Sequence, residues 1–442
     1  MKSLENNRIL VLTPTNKAAD VLVKRTMDVM SSDSSYLNWL VRFGTTHDDE
    51  IELSGVYKDK SFNIHKSLKC VVVTTIDRFP YDYFMPTYDK IFLKDLDWDY
   101  IIIDEASMIP IIKIIYPLYK KVPKMFIIAG DPLQIEPIAV TDENIYSMVG
   151  LESFTKPQTN PHQYDVKLLT TQYRSIPIVG EIFSKFAYGG VLKHDRYNES
   201  QVPLNIPNLD IKALNIIKFP VSKYESIYRP KKLKTSNYHV YSAIFAYEFA
   251  IYLAEMIDKF SNLNTISIGI IAPYRVQADL IEKLTLSATL PKNIKVQVGT
   301  IHGFQGDECD IIIAVFNPPM SITTSKDMFL NKKNIINVSI SRARDYLFII
   351  MPDDNTDNVD NLKLIKRIER LCSQVDHTMI ETKEIEKIIW NSETYIEDNS
   401  FATSHQKVNV YGEPEHRYEI RSESEAVDVQ IHKIHSAKKY FS

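Results

Sequence analysis

The chain has 442 residues, of which 44% are hydrophobic and 24% charged, and its formal net charge is −4. This length exceeds what one compact core supports and predicts two or three domains. The slightly negative charge excludes a globally basic nucleic-acid binder, so any such binding must come from local patches. The three cysteines are far apart and lack metal-ligand spacing, which predicts reduced thiols in a cytoplasmic protein. We find no apolar run of about 18 residues and no signal-peptide pattern, and therefore expect no membrane partner.

Short apolar runs recur along the chain in two series, and helical patterns at 17–30 and 240–260 lie between them. The runs lie at 9–12, 71–74, 100–103 and 126–129, and then at 215–219, 268–272, 296–299, 311–315 and 347–350. Near-continuous apolar runs of this length are typical of strands buried on both faces of a parallel sheet. The alternation predicts an α/β fold with two doubly wound parallel-sheet domains. A charged helical stretch at about 361–390 and alternating runs after it predict a small α+β tail that ends in an antiparallel meander.

The segment "IIIDEAS" places Asp104 and Glu105 directly after a predicted buried strand. In this position Asp104 would hold Mg²⁺ through water, and Glu105 would orient an attacking water. Taken alone, the run fits a pair of solvated acids at a strand end equally well. The next run, "FIIAGDPLQIEP" 126–137, brings Asp131 and Gln134 beside the acids if the two strands are neighbours. A turn on Gly-Asp-Pro would explain the glycine and the proline but not Gln134, which can hydrogen-bond both a γ-phosphate and the water.

With three further segments, these runs resemble the ordered motifs of superfamily 1 helicases, in the branch of the nonsense-mediated-decay helicase and the DNA-processing helicase-nucleases. The further segments are "QYRS" 172–175, "GTIHGFQGDECDIII" 299–313 and "INVSISRARDYLFII" 336–350. The resemblance covers residues 9 to about 352. It implies two RecA-like domains, 1–160 and 161–358, and a C-terminal extension, 359–442. It also implies an ATP-dependent helicase or translocase that uses Mg²⁺ and moves 5′ to 3′ on single-stranded DNA or RNA.

The same resemblance assigns Arg174 and Arg342 to the γ-phosphate, with Arg344 as the second choice to Arg342. A guanidinium suits this role because it is always charged and binds phosphate oxygens bidentately. The alternative for Arg174 is a surface ion pair. Four further residues are assigned to the nucleotide by resemblance: Asp131, Tyr173, Gly306 and Glu308. Asp307 departs from the family pattern, which often has a basic residue there.

Three segments resemble those that contact single-stranded nucleic acid in the family: "LTPTNKAAD" 12–20, "TTIDRF" 74–79 and "VGTIHGF" 298–304. A fourth, "APYRVQADL" 272–280, resembles a further family motif whose tyrosine and arginine would stack or pair with the strand. The residues implied are Thr13, Pro14, Thr15, Asn16, Thr75, Tyr274, Arg275, Thr300 and His302. Hydroxyl and amide side chains at strand ends can donate to phosphates. Each of the threonines and Asn16 alone would more often be a helix N-cap, and Asn16 is a good candidate for the cap of the 17–30 helix.

A basic tract from Lys212 to Lys234 holds seven lysines and arginines against Glu225, interleaved with two tyrosines. This pattern fits a nucleic-acid stripe, but charge runs of this kind are more often solvated loops.

The 442 residues contain no G-x-x-x-x-G-K-[ST] motif, whose backbone N–H groups would cradle the phosphates. Two explanations follow: a fragment or late-start product of a full helicase, or a non-hydrolysing pseudo-ATPase that binds nucleic acid or acts as a scaffold. A pseudo-enzyme has no chemical reason to keep Asp104, Glu105, Gln134, Arg174 and Arg342 together, which favours the first explanation.

Overall fold

The protein divides into two compact units, residues 1–168 and 169–442. The computed structural model describes residues 6–67, 69–137, 166–197, 201–221, 227–233, 235–260, 265–304, 307–320, 329–353, 362–399 and 402, and the backbone of 408–412, 418–422 and 429–431. The domain boundaries predicted near residues 160 and 358, and the predicted phosphate contact Gly306, lie outside the described residues.

The first unit is built on a six-stranded parallel sheet. Its elements are β1 (Arg8–Thr13), α1 (Asn16–Val29), β2 (Leu40–Phe43), α2 (Asp49–Leu53), β3 (Tyr57–Lys58), β4 (Cys70–Thr75), β5 (Tyr83–Phe84), β6 (Ile91–Phe92), β7 (Tyr100–Ile103), α3 (Ile111–Lys120) and β8 (Met125–Ile128). The strand order is β3-β2-β4-β1-β7-β8, and every neighbouring pair is parallel. Aliphatic side chains from both faces of this sheet form two cores, as the apolar runs predicted.

The two edges of this sheet differ in how they are protected. The β3 edge has only two residues and carries Lys58, features that discourage pairing with another chain. At the other edge, β8 pairs within the described residues only with β7, and it exposes Met125 by 54% and Ile127 by 41%. The preceding helix α3 adds Ile112 and Tyr119 to this exposed apolar surface. Among the described residues, the sheet therefore ends in an apolar strand whose outer edge pairs with no other strand.

The second unit contains another six-stranded parallel sheet. Its elements are β9 (Thr171–Gln172), α4 (Pro177–Ala187), β10 (Lys193–His194), β11 (Leu214–Phe219), β12 (Lys231–Leu233), β13 (Ser236–Tyr238), α5 (Val240–Phe260), β14 (Ile266–Ala272), α6 (Arg275–Leu286), β15 (Ile294–Thr300), β16 (Cys309–Val315), α7 (Lys333–Ile340) and β17 (Ala343–Pro352). After these come α8 (Lys363–Cys372), β18 (Thr378–Glu381), α9 (Thr382–Trp390), α10 (Tyr395–Asp398), β19 (Val408–Gly412), β20 (Tyr418–Ser422) and β21 (Val429–Ile431). The strand order is β15-β14-β16-β17-β11-β18, all parallel. The predicted α/β class with two parallel sheets is confirmed.

Helix α5 is the one helix among the described residues that is long and apolar enough to cross a membrane. Of its most apolar window, 72% is buried inside the protein. Phe245 and Phe249 are fully buried, and Phe249 packs edge-on against Phe348 of β17 at 5.2 Å. These contacts are those of a core helix.

The C-terminal elements contain one strand that the sequence did not indicate. Within the stretch predicted to be helical, β18 separates α8 from α9 and extends the second sheet beside β11. The predicted antiparallel meander is present as β19, β20 and β21. The described part of the basic tract is not a continuous stripe: Lys218 is buried in β11 and pairs with Glu369 at 2.6 Å, and Lys212 pairs with Asp210 at 3.5 Å. All three cysteines are free and buried, and burial raises the pKa of Cys70 to about 11.

Candidate nucleotide and nucleic-acid site

The acid pair stands at the carboxyl end of β7, directly beside the end of β8. Ile103 lies in register with Ile128, and the Ala106 backbone N–H donates to the carbonyl of Ala129 at 2.9 Å. On the other side, the Asp104 N–H donates to the carbonyl of Leu12 in β1 at 2.9 Å. The strands carrying the "DEAS" and "GDPLQ" segments are therefore neighbours, as their predicted cooperation requires.

Glu105 adopts a left-handed backbone conformation, with φ 50° and ψ 38°. Glutamate has no intrinsic preference for this region, so the conformation costs about 1–3 kcal/mol and persists only because its surroundings impose it. The turn lets the Glu105 N–H donate to Asp104 Oδ1 at 2.9 Å, and a 3₁₀ helix, Ala106–Met108, begins immediately afterwards. Strain of this kind clusters at functional sites.

Asp104 is a half-buried carboxyl whose pKa is raised by burial, against a smaller lowering by its backbone hydrogen bond. Among the described residues, no lysine or arginine offsets this charge, and no group of three or more His, Cys, Asp or Glu side chains forms a metal cluster. The buried Ser107 hydroxyl near the same strand end has no hydrogen-bond partner. One uncompensated carboxylate with an orphan hydroxyl fits a hard cation that keeps several of its own waters, which is how Mg²⁺ is commonly held.

The end of β8 turns through residues 130–134, and the side chain of Asp131 organises the turn. Asp131 Oδ1 accepts from the Leu133 N–H at 2.9 Å, and Asp131 Oδ2 accepts from Gln134 Nε2 at 3.0 Å. Asp131 therefore holds the amide of Gln134 in place. The alternative of a turn built on Gly-Asp-Pro and the predicted role of Gln134 are compatible, because the turn positions the glutamine.

The predicted nucleic-acid residues of the first unit follow β1 and β4, which are adjacent strands. Thr13 is buried, and its hydroxyl donates to the carbonyl of Thr15 at 2.9 Å. The N-cap of α1 is Thr15 and not Asn16: the Thr15 hydroxyl accepts from the Ala18 N–H at 3.1 Å. The candidate cap Asn16 is therefore wrong by one residue, since Asn16 already lies in the first helical turn. Pro14 and Asn16 are partly exposed, and Thr75 is buried at the end of β4.

Arg42 in β2 stabilises the loop and helix that follow β1, a role that the sequence did not predict. Its side chain is fully buried and donates to Asp20 Oδ1 at 2.6 Å, to the carbonyl of Phe43 at 2.7 Å and to the carbonyl of Thr45 at 2.8 Å. A longer bond, of 3.3 Å, reaches Asn16 Oδ1. The signal was present in the sequence as an arginine inside the short apolar run "LVRF".

In the second unit, the "QYRS" loop is shaped by Gln172, another residue that we missed. Gln172 Oε1 accepts from the backbone N–H groups of Arg174 and Ser175 at 3.0 and 2.9 Å. Its Nε2 donates to the Ser175 carbonyl at 2.8 Å and lies 2.9 Å from His194 Nδ1. This cage fixes the backbone so that Tyr173 points into solvent, where it is 68% exposed.

Arg174 and Arg344 converge on Glu308 at the amino end of β16 and β17. Arg174 Nε lies 2.8 Å from Glu308 Oε2, and Arg174 Nη1 donates to the carbonyl of Ser341 at 3.0 Å. Arg344 Nη1 lies 3.4 Å from Glu308 Oε1, and Arg344 Nε lies 3.7 Å from Asp310. Glu308 therefore orients two guanidinium groups.

Arg342 lies at the same end of β17 but in a different environment. It is 2% exposed, and its carbonyl accepts from the Cys309 N–H at 3.1 Å, which ties it to the start of β16. Since Arg344 is 40% exposed and bound to two carboxylates, the two arginines are not equivalent. Asp307 accepts from Gln297 at 2.7 Å, at the surface.

The remaining predicted residues lie at the opposite, carboxyl edge of the second sheet. Arg275 is exposed at the start of α6, and Asp279 lies 3.7 Å away. Tyr274 is buried against Phe329 at a ring distance of 5.6 Å. His302 is exposed, and Thr300 Oγ1 accepts weakly from the Gly303 N–H at 3.4 Å.

The chain crosses from the carboxyl edge of this sheet, where β15 ends at Thr300, to its amino edge, where β16 begins at Cys309, because both strands are parallel to β14. The crossing is anchored by Phe304, which is fully buried over Gly269. A Cβ at residue 269 would lie 2.8 Å from Phe304 Cε1 and 2.6 Å from Ile312 Cδ1, so only glycine fits. One short segment thus joins the predicted nucleic-acid residues to Glu308.

Comparison with known proteins indicates a helicase-like motor domain. Residues 151–354 match the family model described as an AAA domain. Helicase sen1 of Schizosaccharomyces pombe is 29% identical over 271 residues, which cover 60% of this chain and 15% of that protein. The ATP-dependent helicase MJ0104 of Methanocaldococcus jannaschii is 27% identical, with 58% of this chain and 36% of that protein covered. The helicase/nuclease dna2 of S. pombe is 25% identical, with 68% and 20% covered.

The chain is thus similar in sequence to superfamily 1 helicases of the Sen1 and Dna2 branch. It spans between 15% and 36% of the length of these three relatives.

Proposed function

We propose that the chain is the motor core of an ATP-dependent helicase or translocase that moves 5′ to 3′ on single-stranded nucleic acid. The observation that carries the proposal is the acid pair: Glu105 is held in a strained conformation beside an uncompensated Asp104, next to the turn that positions Gln134. A sheet that served only as a scaffold would have no use for this strain. The direction of travel comes from the resemblance alone.

In this proposal each side chain has one task. Asp104 would hold Mg²⁺, and the bound ion would supply positive charge to the phosphates of the nucleotide. Glu105 accepts a hydrogen bond from the attacking water, and Gln134 orients that water. Arg174 and Arg342 bind the γ-phosphate, with Arg174 held ready by Glu308 and the Ser341 carbonyl. Asp131 acts through Gln134 and is a positioning residue.

Replacing Glu105 with glutamine should abolish ATP hydrolysis and leave ATP binding intact. The experiment requires a form of the protein that also carries a phosphate-binding loop and hydrolyses ATP. Glutamine keeps the shape of the side chain but cannot act as a base, and loss of a general base costs about 10²–10⁴ in rate. Asp104→Asn is the matched control, since it should weaken Mg²⁺-dependent ATP binding. Loss of ATP binding in Glu105→Gln, together with retained ATP binding and lost hydrolysis in Asp104→Asn, would reverse the two roles.

The 442-residue chain should bind single-stranded nucleic acid weakly and with a strong dependence on salt. The loops after β1, β4 and β15 offer backbone N–H groups and hydroxyls to phosphates, and each phosphate that a lysine or arginine such as Arg275 neutralises contributes about −0.7 to the slope of log K against log salt. Fluorescence anisotropy with a labelled 20-nucleotide strand at 50 and 200 mM salt measures both quantities. Binding that is absent, or that does not change with salt, would contradict the proposed function.

The rival function is a nucleic-acid-binding scaffold that does not hydrolyse ATP. It predicts salt-dependent binding as well, so the two are separated by turnover. Restored ATP hydrolysis in the loop-bearing form, stimulated by single strands, is the expected result. A loop-bearing form that binds ATP and strand but has no turnover would favour the scaffold.

A further inference from the structure

A small β-hairpin follows the "TTID" segment in the first unit, and neither the motifs nor the proposed chemistry gives it a role. We call residues 80–95 the aromatic hairpin. Its strands β5 and β6 pair antiparallel, with Tyr83 opposite Phe92. Phe84 anchors it, since this ring is fully buried and lies 4.3 Å from the ring of Phe43 at the end of β2.

Two tyrosine rings of the aromatic hairpin lie in solvent. Tyr81 is 77% exposed and Tyr88 is fully exposed. Exposed aromatic residues are individually common on protein surfaces, and their presence alone indicates nothing. Here, however, they occur within a few residues of each other on an element that is otherwise firmly anchored.

Lysine side chains surround the aromatic hairpin. Lys60 Nζ lies 4.2 Å, and Lys90 Nζ 4.7 Å, from the centre of the Tyr83 ring. Lys94 Nζ lies 5.2 Å from the Phe92 ring. Residues 57–94 contain seven lysines and arginines against four aspartates, in a chain whose net charge is −4. This segment is therefore basic in sequence, although the whole chain is slightly acidic.

Two of the acidic groups nearby, Asp82 and Asp77, are already engaged in ion pairs. Asp82 binds Arg78 at 2.5 Å and Lys60 at 3.4 Å. Asp77 binds Lys113 of α3 at 2.6 Å. Lys90 is exposed at the surface, so its ammonium group is available to an anionic ligand.

The aromatic hairpin adjoins the predicted nucleic-acid edge of the first sheet. A 3₁₀ helix, Ile76–Arg78, connects it to Thr75, and Arg78 Nη2 donates to Thr45 Oγ1 after β2 at 2.7 Å. Gly44, at φ 114°, permits this approach, because a Cβ there would lie 2.7 Å from Arg78 Nε. The aromatic hairpin therefore lies beside the loops that follow β2 and β4 at this edge of the sheet.

We propose that the aromatic hairpin is a stacking platform for single-stranded nucleic acid: Tyr81 and Tyr88 stack on bases, and Lys60 and Lys90 contact the flanking phosphates. The inference rests on the proposed function and adds a site to it. Every base has a π face, so a platform of this kind accepts strands of any sequence, and each stacked base contributes about 1–3 kcal/mol. The ammonium groups around Tyr83 bring positive charge to the backbone that connects the stacked bases.

The test compares strand binding by three variants of the whole chain with labelled dT20 and rU20. Tyr81→Ala/Tyr88→Ala should weaken binding at least about tenfold for both strands, with an unchanged salt slope, because the rings carry no charge. Tyr81→Phe/Tyr88→Phe should bind within about twofold of wild type, since stacking needs only the ring. Tyr119→Ala is the matched control, because Tyr119 is also exposed, by 87%, but lies on α3; it should bind like wild type.

The lysines give an independent readout. Lys60→Ala/Lys90→Ala should reduce the magnitude of the salt slope by about 1.4, the value for two phosphate contacts on a single strand. If wild type binds and the double alanine variant of the tyrosines binds equally well, the platform is wrong and the proposed function stands. Equal losses in the phenylalanine and alanine variants would also overturn stacking. If wild type binds neither strand, the proposed function itself fails.

Discussion

Replacing Arg342 with alanine should lower ATP turnover at least about 10³-fold in a hydrolysing, loop-bearing form, while ADP affinity changes little. An arginine that neutralises the transferred phosphoryl group is worth about 10³–10⁵ in rate. Arg342 is 2% exposed, so its guanidinium has lost most of its water, and its charge acts at a lower effective dielectric constant than that of a surface arginine. ADP lacks the γ-phosphate that Arg342 is proposed to bind, so its affinity should be spared.

The control for Arg342 is its neighbour Arg344, which is bound to Glu308 and Asp310. Arg344→Ala should lower turnover much less, because that side chain already pairs with two carboxylates. Steady-state turnover and ADP titration are measured for both variants, and thermal melting shows whether each is folded. A 10³-fold loss in Arg344→Ala with a mild effect in Arg342→Ala would show that our alignment of the "SISRARD" segment is wrong by two residues.

Replacing Arg42 with methionine should lower the free energy of unfolding of the first unit by about 3–5 kcal/mol, the typical cost of removing one partner from a buried ion pair. Asp20 would lose its partner at 2.6 Å, and the carbonyls of Phe43 and Thr45 would lose their donors. Methionine fills similar volume, so the loss measured would be electrostatic rather than a cavity effect. Burial lowers the pKa of Arg42 and Asp20 opposes this shift, but the group stays charged.

Urea unfolding followed by Trp39 and Trp98 fluorescence measures this loss, with Trp390→Phe as the background because Trp390 reports the second unit. The matched control is Lys24→Met on α1, the helix that carries Asp20, since Lys24 makes partly exposed ion pairs with Asp48 and Glu50. Surface pairs contribute about 0–1 kcal/mol. An Arg42→Met loss no larger than that of Lys24→Met would contradict the stabilising role of Arg42.

The strands and the fold class could be predicted because each buried strand is a continuous apolar run with a polar end. The runs at 100–103 and 126–129 became β7 and β8 almost without change of bounds. That these two strands are neighbours had to be assumed, since strand order depends on packing between distant segments. The same limit explains β18: "TMIE" is too short and mixed to be distinguished from the helices on either side.

The site residues that the sequence did not predict are those that hold other residues in position. Gln172 and Arg42 contact backbone groups whose positions exist only in the folded chain. Thr15 and Asn16 are both good caps, and only the path of the backbone decides between them. The aromatic hairpin was overlooked because its signal is spread over lysines and tyrosines separated by up to 30 positions.

The apolar edge of β8 has a consequence for handling the protein. A strand that carries Met125 and Ile127 into solvent, with no lysine, proline or bulge within it, is a template for cross-β contacts between molecules. We therefore expect concentrated samples to associate through this strand while the protein is folded, so that loss of soluble material on storage would not report on global stability. Replacing Met125 with a charged residue should reduce this association, since that side chain is not part of the buried core.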